Sequence, residues 1–466
     1  MKKLLLWIIV TVVCLSMLFG FGMAGCKKAA EETVAAETTA AETTAAETTA
    51  AETTAAETTM DPNIPIIMNL WTWATSDATR NTDKLVAELI HKKYPNVTLM
   101  STNVEYSSYW AMIKTAIAGD QMPDVMLCIC GINGIGLEKA GALVDLRPYI
   151  EKDADWAKWM KPVSDNFAAY YYYGPNKDKI IMNPLSAQTM VVGYSKKLYP
   201  NGFPKTLDEW YVESKRLNAE GIVPLAVGWA EPEKPMAVFN IFVYQVDTDP
   251  NKESWTNVQK GVGKWTDPVF VEAMTIIKKM WDEKVFSSEA FQQKLSTDAF
   301  DMLMGGKAAA AFHMLSSNIS TMEAKGWDSS DMGVAYMPVA KEGIDTVGVN
   351  TLGSSYAVPV LGKHKDLAIE IVKMYSSPEV RTKAFEGGWE VFDFEGRDKL
   401  VPKVKNIALY ESILELGASV KSPYGFVDNV GVSQALDLAI TNVCLGTWTI
   451  EVALAEVQKV ADSVKE

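Results

Sequence analysis

The sequence predicts an α/β protein, built as one large folded unit behind an N-terminal leader and a tether. Two observations carry this. From residue 61 onward, short apolar runs alternate with amphipathic helical patterns, as βαβ units do. Before residue 61 the composition changes abruptly, to an apolar N-terminus followed by a five-residue repeat with no apolar face.

The N-terminus comes first. Lys2 and Lys3 precede an almost unbroken apolar run from Leu4 to Phe21, then the small residues around Met23-Ala24-Gly25, then Cys26. This is the layout of a secretory signal peptide over 1–25. An uncleaved anchor is the competing expectation, since the run is close to the shortest that spans a bilayer. Residues 26–60 hold five consecutive AAETT copies from Ala35 to Thr59. Paired threonines weaken helix, and regularly spaced glutamates repel one another. The expectation is a flexible spacer reaching on the order of 30 Å.

Elements of the folded unit follow in order. "IPIIMNLWTWAT" (64–75) reads as a strand. "TDKLVAELIHKKYP" (82–95) reads as a helix stopped by Pro95, and "NVTLMSTNVEY" as a second strand. Helix, Gly-Asp turn and buried strand come next, in "YWAMIKTAIAGDQMPDVMLCIC". Alternation of this kind predicts a parallel sheet with ligands at the carboxyl ends of its strands, near Trp71, Trp73, Asn103, Glu105 and the loop 130–136. Further on, Thr206 and Glu209 form a capping box opening a helix that runs to Gly221, followed by a strand in "IVPLAVGWA". Helices are predicted over 267–286, as a pair over 364–388, and from about Ile450 to Val464. An apolar strand is predicted after Gly305-Gly306.

Charge and cysteine content bound the function. The chain carries −14, and the part from residue 61 onward −11, with no basic cluster. Nucleic acid is therefore not an expected partner. Of the cysteines past Cys26, Cys128 and Cys130 share one face of a strand and cannot easily bridge each other. Buried thiols are the first expectation, and a disulfide from one of them to Cys444 is the second. His91, His313 and His364 are not spaced as zinc ligands, so no metal and no cofactor are expected.

Several segments together resemble the extracellular solute-binding proteins of ABC importers, family 1, the group that includes maltodextrin- and other sugar-binding proteins. They are "AGDQMPDVML", "AGALVDLRPYI", "VVGYSKKLYPNGFPKTLDEWYVESKRL", "FDMLMGGKAAAAFH", "VGVNTLGSSYAVPV" and "AIEIVKMYSSPEVRTKAF". Ser195, Leu207 and the run "FHMLSSN" depart from the family's usual residues. The small residues before Cys26 also resemble a bacterial lipobox, with Met23 where leucine is common. This resemblance implies a type II periplasmic-binding-protein-like fold of two α/β lobes, with a ligand cleft between lobes joined by several crossings. The crossings would lie near Ser186–Val191, Asn350–Ser355 and Trp389–Phe394. Lobe 1 is expected over 62–187 and 354–390, and lobe 2 over 188–353 and 391–466. It also implies lipid on Cys26 and a monomer held on the outer face of the bacterial cell membrane, periplasm-facing if the cell has two membranes. The partners implied are a carbohydrate ligand and the importer's membrane subunits.

Sugars offer C–H faces to aromatic rings and hydroxyls to polar side chains. On that chemistry the candidate contacts are Trp73, Asp77, Glu105, Gln188, Trp229, Glu231, Asn318, Gly353, Ser354 and Trp389. Trp110, Trp210 and Trp281 lie inside helices and are expected to pack. No catalytic residues are expected: Gly-x-Ser-x-Gly is absent, "GGKAAA" lacks a Walker loop's spacing, and "GINGIG" is not a dinucleotide fingerprint. A binding protein for a polyamine or peptide, or a secreted glycosidase, stay open as alternatives.

Overall fold

The computed structural model describes residues 61–464 apart from 74–76, 130–131, 175, 250, 347, 420–426 and 428. The expectations for the signal segment, Cys26, the tether, Cys130 and the side chain of Asp77 lie outside the described residues.

Among the described residues, nine strands form two sheets. The first contains β1 (Ile66–Thr72), β2 (Val97–Asn103), β3 (Val125–Ile129), β4 (Asn183–Pro184) and β9 (Ser354–Ala357), in the order β2-β1-β3-β9-β4. The second contains β5 (Ala187–Ser195), β6 (Ala310–Met314) and β7 (Met332–Ala335), in the order β6-β5-β7. β8 (Val349–Leu352) pairs with the start of β5.

The parallel sheet expected from the βαβ pattern is present only in part. β1 pairs β2 and β3 in parallel, linked by the helices Asp77–Lys93 and Tyr106–Ala118. β9 and β4 join antiparallel, and every pairing in the second sheet is antiparallel. The reason is connectivity. Only the first three strands are joined by short helical crossovers; the others meet partners more than a hundred residues away in sequence. "IVPLAVGWA" forms isolated bridges at Val223, Leu225 and Ala226, not a strand.

Local signals account for several boundaries. The Thr206 hydroxyl accepts from the Glu209 N–H at 3.2 Å, and the Glu209 carboxylate accepts from the Thr206 N–H, opening the helix Leu207–Ala219. The Asp124 carboxylate accepts from the Asn69 N–H at 2.8 Å and the Lys363 N–H at 3.1 Å, tying the start of β3 to β1 and to the turn at Lys363. The helix predicted from residue 82 begins at Asp77, because its first turn buries Ala78, Thr79 and Thr82, which carry no apolar signal.

The core divides accordingly. One apolar cluster fills the first lobe and continues onto one face of the second sheet. The other packs the helices Lys234–Val246, Pro268–Asp282, Val430–Cys444 and Ile450–Ser463 on the opposite face. Cys128 and Cys444 are both buried, and neither forms a disulfide, so the expected alternative of a bridge to Cys444 is not present. Among the described residues, no helix is long and apolar enough to cross a membrane, and no group of three or more His, Cys, Asp or Glu could hold a metal ion.

Candidate functional site

Three chain segments run side by side where the two sheets meet. The first is Leu185–Gln188, between β4 and the body of β5. The second is the step from β8 to β9 through Gly353. The third is Trp389–Val391. The Leu185 N–H donates to the Ser354 carbonyl at 2.9 Å, and the Gly353 N–H to the Ser186 carbonyl at 2.8 Å. The Ala187 N–H donates to the Glu390 carbonyl at 2.8 Å. Gly353 is required for this approach: a Cβ there would stand 2.6 Å from the Ser186 hydroxyl oxygen and 2.8 Å from Cγ of Gln188. Gly353 was a candidate backbone donor to ligand. Its N–H is already committed to Ser186, so it acts as a spacer instead.

A cavity of about 110 Å³ opens at this junction. Trp73, Ser186, Gln188, Ser316, Asn318, Ser354, Trp389 and Glu390 are among its lining. Three buried polar atoms on it have no hydrogen-bond partner in the protein: the Trp389 indole nitrogen, the Ser186 hydroxyl and Oε1 of Glu390. Leaving such groups unmet is costly unless something fills the space beside them.

The other Glu390 oxygen is satisfied. Oε2 accepts from the Thr189 N–H at 2.9 Å and from its hydroxyl at 2.7 Å. Burial pushes the Glu390 carboxyl up to about 7, against the pull of Thr189 and then of Ser316. Asn318 closes the start of the helix Ser316–Ala324 by accepting from the Leu315 N–H at 2.8 Å. That helix therefore presents its N-terminal end to the cavity.

The candidates thus separate. Trp73, Gln188, Asn318, Ser354 and Trp389 come together on one cavity. Glu105 and Glu231 do not line it. Glu105 forms an ion pair with Lys294 at 2.8 Å, half exposed on both sides, where the first lobe meets the second. The Glu231 carboxylate accepts from the neighbouring Leu295 N–H at 3.0 Å.

Trp229 corrects an expectation. It is buried in the second lobe, its ring 4.5 Å from that of Phe286 and 5.2 Å from that of Phe291, and it does not line the cavity. The helical tryptophans differ among themselves: Trp210 is fully buried, while Trp110 is half-buried against Trp73 at 5.6 Å.

On the other side of Trp73 the lobes face each other through a charged group. Trp73 packs edge-on to Tyr106 at 5.5 Å, and the Lys234 ammonium stands 6.0 Å from that ring. Lys234 Nζ is 3.3 Å from Nε2 of the buried His313. Burial and then Lys234 hold His313 well below its ordinary range, so it is neutral and Nε2 is the accepting nitrogen. Glu233 and His313 both adopt left-handed backbone, with φ of 70° and 76°, a conformation that non-glycine residues adopt at a cost.

Sequence reading passed over Ser186, Ser316 and Glu390. The first two are small hydroxyls with no pattern of their own. Glu390 adjoins a chosen tryptophan in an expected crossing, and a carboxylate at that place was a usable signal.

A scan of protein-family profiles matches residues 74–382, well over half of the chain, to "Bacterial extracellular solute-binding protein". The chain belongs to that family. Compared by sequence with curated proteins, this solute-binding protein finds no match. Solved structures resemble it in fold over most of its length. A chitin oligosaccharide binding protein aligns with TM-score 0.71 and 20% identity, covering 86% of this chain and 98% of that one. The maltose/maltodextrin-binding domain from Bdellovibrio bacteriovorus bound to maltotriose aligns with TM-score 0.67 and 16% identity, covering 86% and 100%. A solute-binding protein in complex with raffinose aligns with TM-score 0.66 and 16% identity, covering 86% and 100%. The fold of this solute-binding protein is the two-lobed type II α/β arrangement, with the cavity where its two sheets meet.

Proposed function

We propose that this solute-binding protein captures a sugar or oligosaccharide between its lobes, without chemical turnover, and delivers it to the membrane subunits of an ABC importer. The observation that carries the sugar reading is the cavity at the crossings. It combines indole faces, Trp73 and Trp389, with buried polar atoms that have no partner in the protein. A polyol meets both demands at once, its C–H face on a ring and its hydroxyls on the unmet atoms. Structures of the same fold are described with chitin oligosaccharide, maltotriose and raffinose, which supports the reading.

Lobe 1 would comprise 62–187 and 354–390, and lobe 2 188–353 and 391–466. Ligand touching both lobes favours the closed arrangement, a population shift that importer subunits can read. Cleavage before Cys26, lipid on its thiol and the 26–60 spacer would hold a monomeric receptor off the outer face of the cell membrane. A second reading has one observation in its favour. Glu390 itself is a buried carboxyl beside the Trp389 indole on the cavity, a pairing that would also suit a polyamine.

The test is a thermal-shift panel on the compact unit Asp61–Glu466, with mono- and oligosaccharides against peptides and polyamines. A ligand at a hundred times its Kd stabilises by about 2.7 kcal/mol. A sugar is expected to raise Tm. A response to polyamines or peptides with none to sugars would keep the fold and overturn the ligand class.

A further inference from the structure

Glu390 is unusual among the groups on the cavity, because its surroundings fix its orientation while leaving one oxygen to the ligand. Its backbone is pinned by the bond from Ala187, and Oε2 is held twice by Thr189. The side chain therefore cannot swing away. Oε1 remains buried on the cavity and makes no close hydrogen bond of its own, although the Ser316 N–H and hydroxyl also draw on this carboxyl. The Trp389 indole nitrogen and the Ser186 hydroxyl line the same cavity without partners. The three present an acceptor, a donor and a group that can do either.

A hydroxyl-bearing ligand satisfies this set, donating to Oε1 and accepting from the indole. An anionic ligand does not. Its charge would be buried against a carboxylate, in surroundings of low dielectric where like charges repel strongly. Lys325 also lines the cavity but offers little relief: it is half exposed and 3.3 Å from the Asp301 carboxylate.

We infer that Glu390 sets the ligand class of this site: it accepts a hydrogen bond from a hydroxyl of a neutral sugar, and its charge rejects the same sugar carrying a carboxylate at that place. This rests on reading the cavity as a sugar site. Burial holds Glu390 near neutrality, so the rejection weakens on acidification, when the carboxyl takes up a proton and becomes a donor as well. The other ionisable groups facing it are the Tyr410 hydroxyl, which burial pushes well up, and the Lys325 ammonium.

The experiment uses matched probes: maltotriose, raffinose and chitotriose, each beside the form oxidised to carboxylate at its primary hydroxyls. Affinities are measured by calorimetry for the wild type and Glu390→Gln, at pH 8.5 and 5.5. The amide preserves the bonds from Thr189 and removes the charge. At pH 8.5, where the carboxyl is almost fully charged, the wild type is expected to bind a neutral parent at least tenfold more tightly than its oxidised form. That ratio is expected to shrink at least fivefold in the variant. It is also expected to shrink at pH 5.5 in the wild type but not in the variant, so the unmutated protein gives a second reading should the variant fold poorly.

An unchanged ratio in both the variant and acidified wild type would overturn the role of Glu390 and leave the sugar reading standing. Failure of the wild type to bind any of the six probes, together with no thermal shift from any sugar of the wider panel, would overturn the sugar reading, and this inference with it.

Discussion

Trp389 and Trp229 make a close comparison. Both follow a glycine-containing segment and precede a glutamate by one or two residues. They are 7% and 5% exposed, and each has an indole nitrogen with no hydrogen-bond partner. Yet Trp389 lines the cavity at the lobe junction, while Trp229 is packed against Phe286 and Phe291. Two carboxyls repeat the contrast. Asp83 and Glu390 are both buried, each with one oxygen doubly bonded by protein donors and the other without a partner. Glu390 borders the cavity, whereas Asp83 sits at the hydroxyl ends of the stacked rings of Tyr356 and Tyr375. An unmet polar atom points to a ligand only where a cavity adjoins it. In a packed interior it is a local cost that the rest of the core offsets.

The largest expected effect separates the two tryptophans. Trp229→Ala should destabilise the protein by about 3–5 kcal/mol, as deletion of a buried indole does, read as a lowered melting midpoint in denaturant. A milder Trp229→Phe should keep ligand affinity. Trp389→Ala should weaken binding of the preferred sugar at least tenfold, about 1.4 kcal/mol, by titration calorimetry. A Trp229→Phe variant that lost binding would dissolve the distinction.

Next comes the carboxyl pair. Burial raises Asp83 to about 6, against the pull of the Tyr375 and then the Tyr356 hydroxyl. Between pH 4 and 6 the native state keeps a proton that the unfolded chain has released. The stability Asp83 contributes is therefore fully present at low pH and is lost as pH rises through that window. The change is on the order of 3 kcal/mol. Asp83→Asn should flatten that part of the stability curve without altering sugar selectivity; Glu390→Gln should alter selectivity.

The smallest effect belongs to the half-exposed Glu105–Lys294 pair. Glu105→Gln should change stability by less than about 1 kcal/mol and leave affinity within a factor of a few. A tenfold loss of affinity would move Glu105 back into the ligand site.

Much of the fold was legible because its signals are local. The capping box at Thr206 and Glu209, the stop at Pro95 and the amphipathic helices each depend on residues close in sequence. The antiparallel additions to the first sheet were not legible, because β9 meets β3 from more than two hundred residues away. The candidate site shows the same limit. Trp73, Gln188, Asn318, Ser354 and Trp389 stand out as aromatics or polar groups beside strand ends and crossings. Ser186 and Glu390 gain meaning only from Thr189, Gly353 and the cavity beside them. Asp83 inverts the usual reading of an aspartate, since two tyrosine hydroxyls 273 and 292 residues away make its burial possible.

The most direct measurement is a crystal structure of the unit Asp61–Glu466 with the sugar that most raises its melting temperature. The expected result is a sugar ring against Trp389, with hydroxyls within hydrogen-bond reach of Oε1 of Glu390 and of the Ser186 hydroxyl. Density for the ligand alongside Lys234 and Glu233 instead, with only water at the crossings, would contradict the assignment of the site.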